Sequence, residues 1–256
     1  MFNSAAVVGP MAAAATYAII GPFWCFSLNG LSFIAVILGL ALMKIPKTIR
    51  PVRKSASLFV EAREGLKYTW HQPVIRMLIF SFMMVTALGM GLVALIPAWA
   101  VDVLKGDVTT NGSLISARGV GAMSGALVVA VLSQYRIKGK IWGMGLLLQP
   151  FFLLAFAISV SLPLSMIFLA LTGMSFLAMV NTTNAMVQEL VSDDLRGRVM
   201  GIYTLTFLGT VPIGSLAAGL LADSIGAQTT VILFGCLMLV FSITGWARMK
   251  SIRQVP

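Results

Sequence analysis

PVIRMLIFSFMMVTALGMGLVALIPAW, residues 73–99, carries a single charge, Arg76, in 27 positions. Crossing a hydrocarbon core of about 30 Å takes roughly 20 helical residues, so this stretch alone is long enough to span a bilayer. A backbone in lipid has to satisfy its own N–H and C=O groups, which restricts spanning segments to helices and closed barrels. The run lacks the apolar–polar alternation of a barrel strand and therefore reads as a helix.

Seven further segments read the same way: 2–20, 23–43, 112–132, 141–160, 162–187, 199–221 and 229–247. The whole chain is 59% hydrophobic and only 10% charged, with a mean hydropathy of +0.96. Soluble domains carry about 25% charged residues, so a water-soluble fold is excluded. The expected fold class is an all-α membrane protein, a polytopic bundle of about eight transmembrane helices. Breaks fall at Gly21-Pro22, at Lys105-Gly106-Asp107 and at Asn111-Gly112, and Pro163 opens a helix near its first turn. The first residues have no basic region, and the apolar pattern runs beyond signal-peptide length. Cys25 and Cys236 lie far apart inside apolar runs and read as small core residues, not a disulfide.

The net charge of +10 would fit nucleic acid or acidic lipid if it were clustered on a soluble face. Its distribution says otherwise. With both termini cytoplasmic, the inner loops hold Lys44, Lys47, Arg50, Arg53, Lys54, Arg63, Lys67 and Arg76, followed by Arg136, Lys138, Lys140, Arg196, Arg198, Arg248, Lys250 and Arg253. The outer loops hold Lys105 alone, and Arg118 falls inside a span. This asymmetry follows the positive-inside rule and supports an even number of spans. The expected setting is a multi-pass protein of the cell (inner or plasma) membrane, with the bilayer as a partner and no nucleic acid.

Residues 45–72 form the long hydrophilic segment. Within it, SLFVEAREGLKYTW (57–70) places Leu58, Ala62, Leu66 and Trp70 at helical spacing opposite charged residues, an amphipathic helix on the inner membrane surface. It either tethers two bundles or senses lipid. His71, at its end, reads as an interfacial residue. VVGPMAAAATYAIIGP (7–22) and TVPIGSLAAGLLADSIG (210–226) are each followed by a span ending in cations, and Pro10 and Pro212 set an offset of about 200 residues, the internal symmetry of transporters built from two six-helix repeats. On that symmetry, residues 1–44 are the last two helices of an incomplete N-terminal repeat, 45–72 a cytoplasmic linker and 73–256 a complete C-terminal repeat. About four helices, roughly 130 residues, would precede Met1. The expectation is a fragment, a mis-assigned start or a degraded gene product.

EGLKYTWHQPVIR (64–76), LISARGVGAMSGAL (114–127) and NTTNAMVQELVSDDLRGRVMGIYTLTFLG (181–209) together resemble the major facilitator superfamily. Within it they are similar to the branch of the enterobactin exporter and related transmembrane secretion effectors. The resemblance covers nearly the whole chain and is most specific from Asn184 to Gly209. It implies helices 5 to 12 of a twelve-helix, secondary-active exporter with a central cavity and alternating access, usually driven by proton antiport. The family's loop motif between helices 8 and 9 is matched only by SQYRIKGK (133–140), which lacks the acidic residue of a gating salt bridge.

Arg118 is the sharpest candidate. An arginine about two turns into a span costs several kcal/mol unless it finds water, a partner or a route to the surface. It either lines the central cavity, attracting an anionic substrate or pairing with a carboxylate, or snorkels outward. Asn181, Asn184 and Gln188 share one helical face, with Thr182 and Glu189 beside it, serving either interhelical packing or substrate contact. In VSDDLRGRVMG, Ser192, Asp193 and Asp194 suit a helix cap, and Arg196 and Arg198 reach carboxylates or phosphates. With Glu189 this region reads as a conformation-dependent cytoplasmic latch. Gly209, Pro212, Gly214 and Gly219 allow close approach and bending, for packing or for gating.

The function expected is secondary-active export of small organic molecules, siderophore- or drug-like, with protons as coupling ion. The coupling carboxylate is not expected here, because Glu189 and Asp223 both lie near span ends. A monomer is expected at full length. The alternative is a non-transporting remnant or the partner of a split transporter. An intramembrane enzyme is disfavoured, since the chain has one histidine, no HExxH and no nucleophile–base pairing. No cofactor and no metal are expected.

Overall fold

The computed structural model describes Thr16 and residues 22–42, 58–132 and 137–248, and all its regular elements there are helices. In chain order they are α1 (Pro22–Ala41), α2 (Leu58–His71), α3 (Pro73–Ala98), α4 (Val108–Leu132), α5 (Lys138–Ala157), α6 (Leu162–Leu190), α7 (Asp193–Ile225) and α8 (Ala227–Arg248). Six of them, α3 to α8, are long and apolar enough to cross a membrane, α3 being extended by a π-helical turn to Val103. The protein is an all-α membrane protein. Apart from Thr16, the predicted span 2–20 lies outside the described residues, as do Arg136, the cations of 44–54 and 250–253 and the Cys25 side chain; Pro10 falls in that span.

Local chemistry sets the helix ends. Pro73 starts α3, where its missing N–H costs nothing. Pro97 removes a donor near the other end, and the following residues close the π-turn Trp99–Val103, with the Leu104 N–H donating to the Trp99 carbonyl (3.1 Å). Lys105 then turns in the left-handed region at φ 53°. Pro163 lies in the first turn of α6, as its position in the sequence predicts. One residue, Gly226 at φ 85°, joins α7 to α8.

Asn111-Gly112 is not a break. Both residues lie inside α4, because Asp107 caps the helix a turn earlier: its Oδ1 accepts from the Thr109 and Thr110 N–H groups (3.0 and 3.1 Å) and from the Thr109 hydroxyl (2.6 Å). The Thr109 hydroxyl first, then the Thr110 N–H, hold this carboxyl below the ordinary aspartate range. A lowered pKa means the contribution is present at neutral pH and is lost as pH falls through that lowered value. Asp107→Ala should therefore lower the melting temperature of the purified protein. The wild-type advantage over Asp107→Asn should persist from neutral pH down to the ordinary aspartate range and fade below it.

The six spans enclose two apolar cores stacked along the bundle. One, toward the α2 end, holds Leu78, Phe82, Val85, Trp142, Leu146, Met179 and Tyr203. The other holds Leu92, Ile96, Trp99, Leu114, Leu153, Phe156, Leu169 and Met238. Glycines set the closest crossings. A Cβ at Gly121 would overlap the Ala170 carbonyl, one at Gly125 the Met174 carbonyl, and one at Gly173 the Arg118 carbonyl, so α4 and α6 meet backbone to backbone. Gly214 of α7 meets the Ala87 carbonyl of α3 in the same way.

One placement differs from expectation. Cys236 is exposed on α8, since the lipid face of a span is as apolar as its core. On α2 the apolar stripe leaves Leu66 and Trp70 exposed, as a helix lying on the membrane surface requires, while among the described side chains Gly65 and Thr69 are buried. Gly65 lets the helix lie on α7, where a Cβ would come within 3.0 Å of the Arg198 carbonyl oxygen. α1 is apolar, and Leu28, Leu31, Ile34 and Leu38 along it are all exposed.

Candidate functional site

Between the two cores the bundle is polar. Thr86 and Gly89 of α3, Gln149 of α5 and Thr172 and Ser175 of α6 are buried there, and Arg118 of α4 is half-buried. α4 begins at Val108, four residues before the sequence reading placed it, so Arg118 lies about 15 Å into the span at 1.5 Å per residue. That is near the middle of a 30 Å hydrocarbon core. Its guanidinium carbon is 5.5 Å from the Phe176 ring centroid and its Nη2 lies 3.7 Å from the Met90 sulfur. The side chain is thus turned toward α3 and α6, away from the bundle ends that snorkelling would reach.

Soft partners do not discharge this cation. Its Nε is buried without a hydrogen-bond partner, and among the described residues no carboxylate pairs with it. A cation–π contact of this kind is worth about 0.5–2 kcal/mol, less than the cost of a mid-membrane arginine. Nearby, the Gln149 Oε1 and the Thr86 hydroxyl are also buried and unpaired. A Cβ on Gly89 would sit 3.1 Å from Gln149 Nε2 and 3.8 Å from Phe176, so the glycine makes room for the amide beside the same ring. The layer offers one donor-only cation and one amide acceptor, chemistry suited to an anionic or hydrogen-bonding group. Sequence reasoning missed Gln149. The signal was present in GLLLQPFFL: an amide halfway along an apolar span has to be paired or to face something polar.

The amide face of α6 lies nearer its C-terminal end. Asn181 and Asn184 are half-buried and Gln188 is exposed. Gln188 Nε2 donates to Asn184 Oδ1 (2.5 Å), and Asn184 also reaches the Tyr203 hydroxyl of α7. That hydroxyl donates to the Val180 carbonyl (3.3 Å), and its ring stacks on Phe82 at 4.3 Å. Thr182 is buried, its hydroxyl donating back to Ala178. Among the described residues no hydrogen bond or ion pair joins this face to Arg118, so the sequence candidates form two separate groups.

The basic end carries the third group. Glu189 pairs with Lys138 at the start of α5 (2.6 Å), and Arg198 pairs with Glu64 of α2. Arg196 works locally: it pairs with Asp193 (2.6 Å) and donates through Nε to the Gln188 carbonyl (2.8 Å), closing the C-terminus of α6. Ser192 caps α7 through its backbone, its carbonyl accepting from Leu195 and Arg196, and Asp194 lies exposed in the first turn. Of the α7 residues singled out, Gly214 is a helix crossing, Gly209 and Gly219 face open space, and Pro212 is exposed inside the helix.

Comparison with known proteins places this architecture. Over 246 residues the chain is 26% identical to the multidrug efflux pump Tap of Mycolicibacterium fortuitum, covering 95% of this chain and 60% of the relative. It is 27% identical over 260 residues to the Tap pumps of Mycobacterium bovis and Mycobacterium tuberculosis, covering all of this chain and 61% of each. The chain therefore spans about 60% of the length of the curated relatives it matches. The model of the transmembrane secretion effector family matches residues 1–253. With six apolar spans behind that match, the chain belongs to the transmembrane secretion effector family of the major facilitator superfamily.

Proposed function

We propose that this chain forms part of a secondary-active exporter of small organic molecules, drug- or siderophore-like, working by alternating access in the cell membrane. Both termini are cytoplasmic in this reading, and residues 73–256 are the C-terminal six-helix repeat. Its family and the efflux activity named for its Tap relatives support export. Within the fold one observation carries it: the mid-span guanidinium of Arg118, unpaired at Nε and without a carboxylate among the described residues. A folded protein keeps such a charge in lipid for use, and an anionic group on the cargo is its natural partner.

α7 is the least buried of the six spans. Leu205, Leu208, Ile213 and Leu216 are exposed along it beside Gly209 and Pro212, and this face is proposed to meet the other repeat. The Glu64–Arg198 and Lys138–Glu189 pairs are proposed as the latch that opens and re-forms at the cytoplasmic end. Proton coupling is proposed to use a carboxylate outside these six spans, whose acidic residues all stand toward their ends.

The test is made at the native locus. Deleting the gene should raise cellular accumulation of a fluorescent drug-like dye, and restoring the gene should lower it again. Collapsing the proton gradient with an uncoupler should mimic deletion. Unchanged accumulation on deletion sinks the exporter reading, whereas efflux indifferent to the uncoupler sinks only the proton coupling.

A further inference from the structure

At the basic end, the last turn of α2, the first turns of α3 and the end of α8 enclose a groove of about 380 Å³. Its wall is apolar: Met77, Phe80 and Phe241 line it, the two rings meeting edge to face at 5.7 Å. Its mouth is cationic. Arg76 is exposed, its guanidinium carbon 5.4 Å from the Trp70 ring centroid, and its Nη1 donates to the Trp70 carbonyl (3.3 Å). The ring and the carbonyl hold the guanidinium in place without neutralising it, and among the described residues no carboxylate pairs with it. A fixed cation above an apolar trough matches an amphiphile with an anionic head and a long apolar tail.

The surroundings fix the kind of amphiphile. Trp70 and Leu66 project from α2 with their apolar surface exposed, the placement of side chains that settle at the level of lipid headgroups. Phe80 lies one helical turn further into the α3 span than Arg76, where acyl chains begin. We infer that this groove binds one anionic phospholipid, its phosphate on Arg76 and an acyl chain along Phe80 and Phe241. Only the leaflet rests on the proposed orientation; binding itself does not depend on export.

Native mass spectrometry of the intact purified protein tests this. The probes are phosphatidylglycerol, phosphatidylcholine and inorganic phosphate. The wild type should retain one phosphatidylglycerol in preference to phosphatidylcholine, and excess inorganic phosphate should not displace it. Arg76→Gln should weaken retention about tenfold, the scale of one charge-assisted contact. Thr244→Trp, which fills the apolar end and leaves the cation, should weaken it as well, and Arg63→Gln, an exposed cation of α2 outside the groove, should not. Equal retention by the wild type and both groove variants overturns the inference. So does equal retention of phosphatidylcholine, or displacement by phosphate, which would make this a free-anion site. No lipid retained by the wild type also overturns it and leaves the groove to α1 or a second copy.

Discussion

Gly121→Ala should abolish the folded bundle, read as loss of the monodisperse peak in detergent and of a cooperative melting transition. The added methyl would lie on the Ala170 carbonyl oxygen, a backbone atom that no rotamer change can move. Relief requires α4 and α6 to separate, and the seam is shared, since Gly125 and Gly173 make the same kind of approach on either side. Overpacking a core by one methyl typically costs 1–3 kcal/mol; forcing two backbones apart along a three-glycine seam belongs at or above the top of that range. Gly219→Ala is the matched control, because a Cβ there meets nothing within 4 Å. Alanine in place of an unconstrained helical glycine gains about 0.5–1 kcal/mol, so this variant should melt at or slightly above the wild-type temperature. Equal behaviour of the two variants would show that α4 and α6 do not touch through these glycines.

Arg118→Met should separate stability from activity. Removing a mid-membrane arginine relieves a penalty of about 2.5–3.5 kcal/mol on insertion scales and forfeits a cation–π contact worth about 0.5–2 kcal/mol. The purified variant should melt at or above the wild-type temperature. Efflux from cells carrying the same substitution at the native locus should fall at least tenfold, with the membrane level of the protein unchanged. Arg118→Lys keeps the charge but loses the planar fork and should recover part of the transport. A variant that unfolds would mark Arg118 as a structural post, and wild-type efflux would remove it from the cargo path.

The helical membrane fold was legible in the sequence because hydropathy reports solvent, and lipid is the solvent here. Neighbour relations were not, because a lipid-facing residue and a core residue look alike in a span. Cys236 is exposed for that reason, and Gly65, through which α2 lies on α7, has no apolar side chain to mark it. Turn chemistry misled once: Asn111-Gly112 has hairpin composition, but the Asp107 cap one turn upstream had already committed those residues to helix. At the candidate site, Arg118 stood out because a charge in an apolar run is conspicuous. Gln149 did not, although it is buried in the same layer, and its relation to Phe176 runs through Gly89, a residue with no side chain to advertise it.

The α4–α6 seam joins residues about 50 positions apart, with all of α5 made in between. When α4 leaves the ribosome it carries a mid-span cation whose ring, Phe176, and whose packing surface, Ala170 to Met174, have not yet been synthesised. It therefore enters the bilayer as a costly helix with only Met90 of α3 already in place beside the cation. α5 must pass through the membrane before α6 arrives to close over the guanidinium. The order in which the ribosome delivers these helices is thus part of the folding problem, and α4 is the element that has to wait.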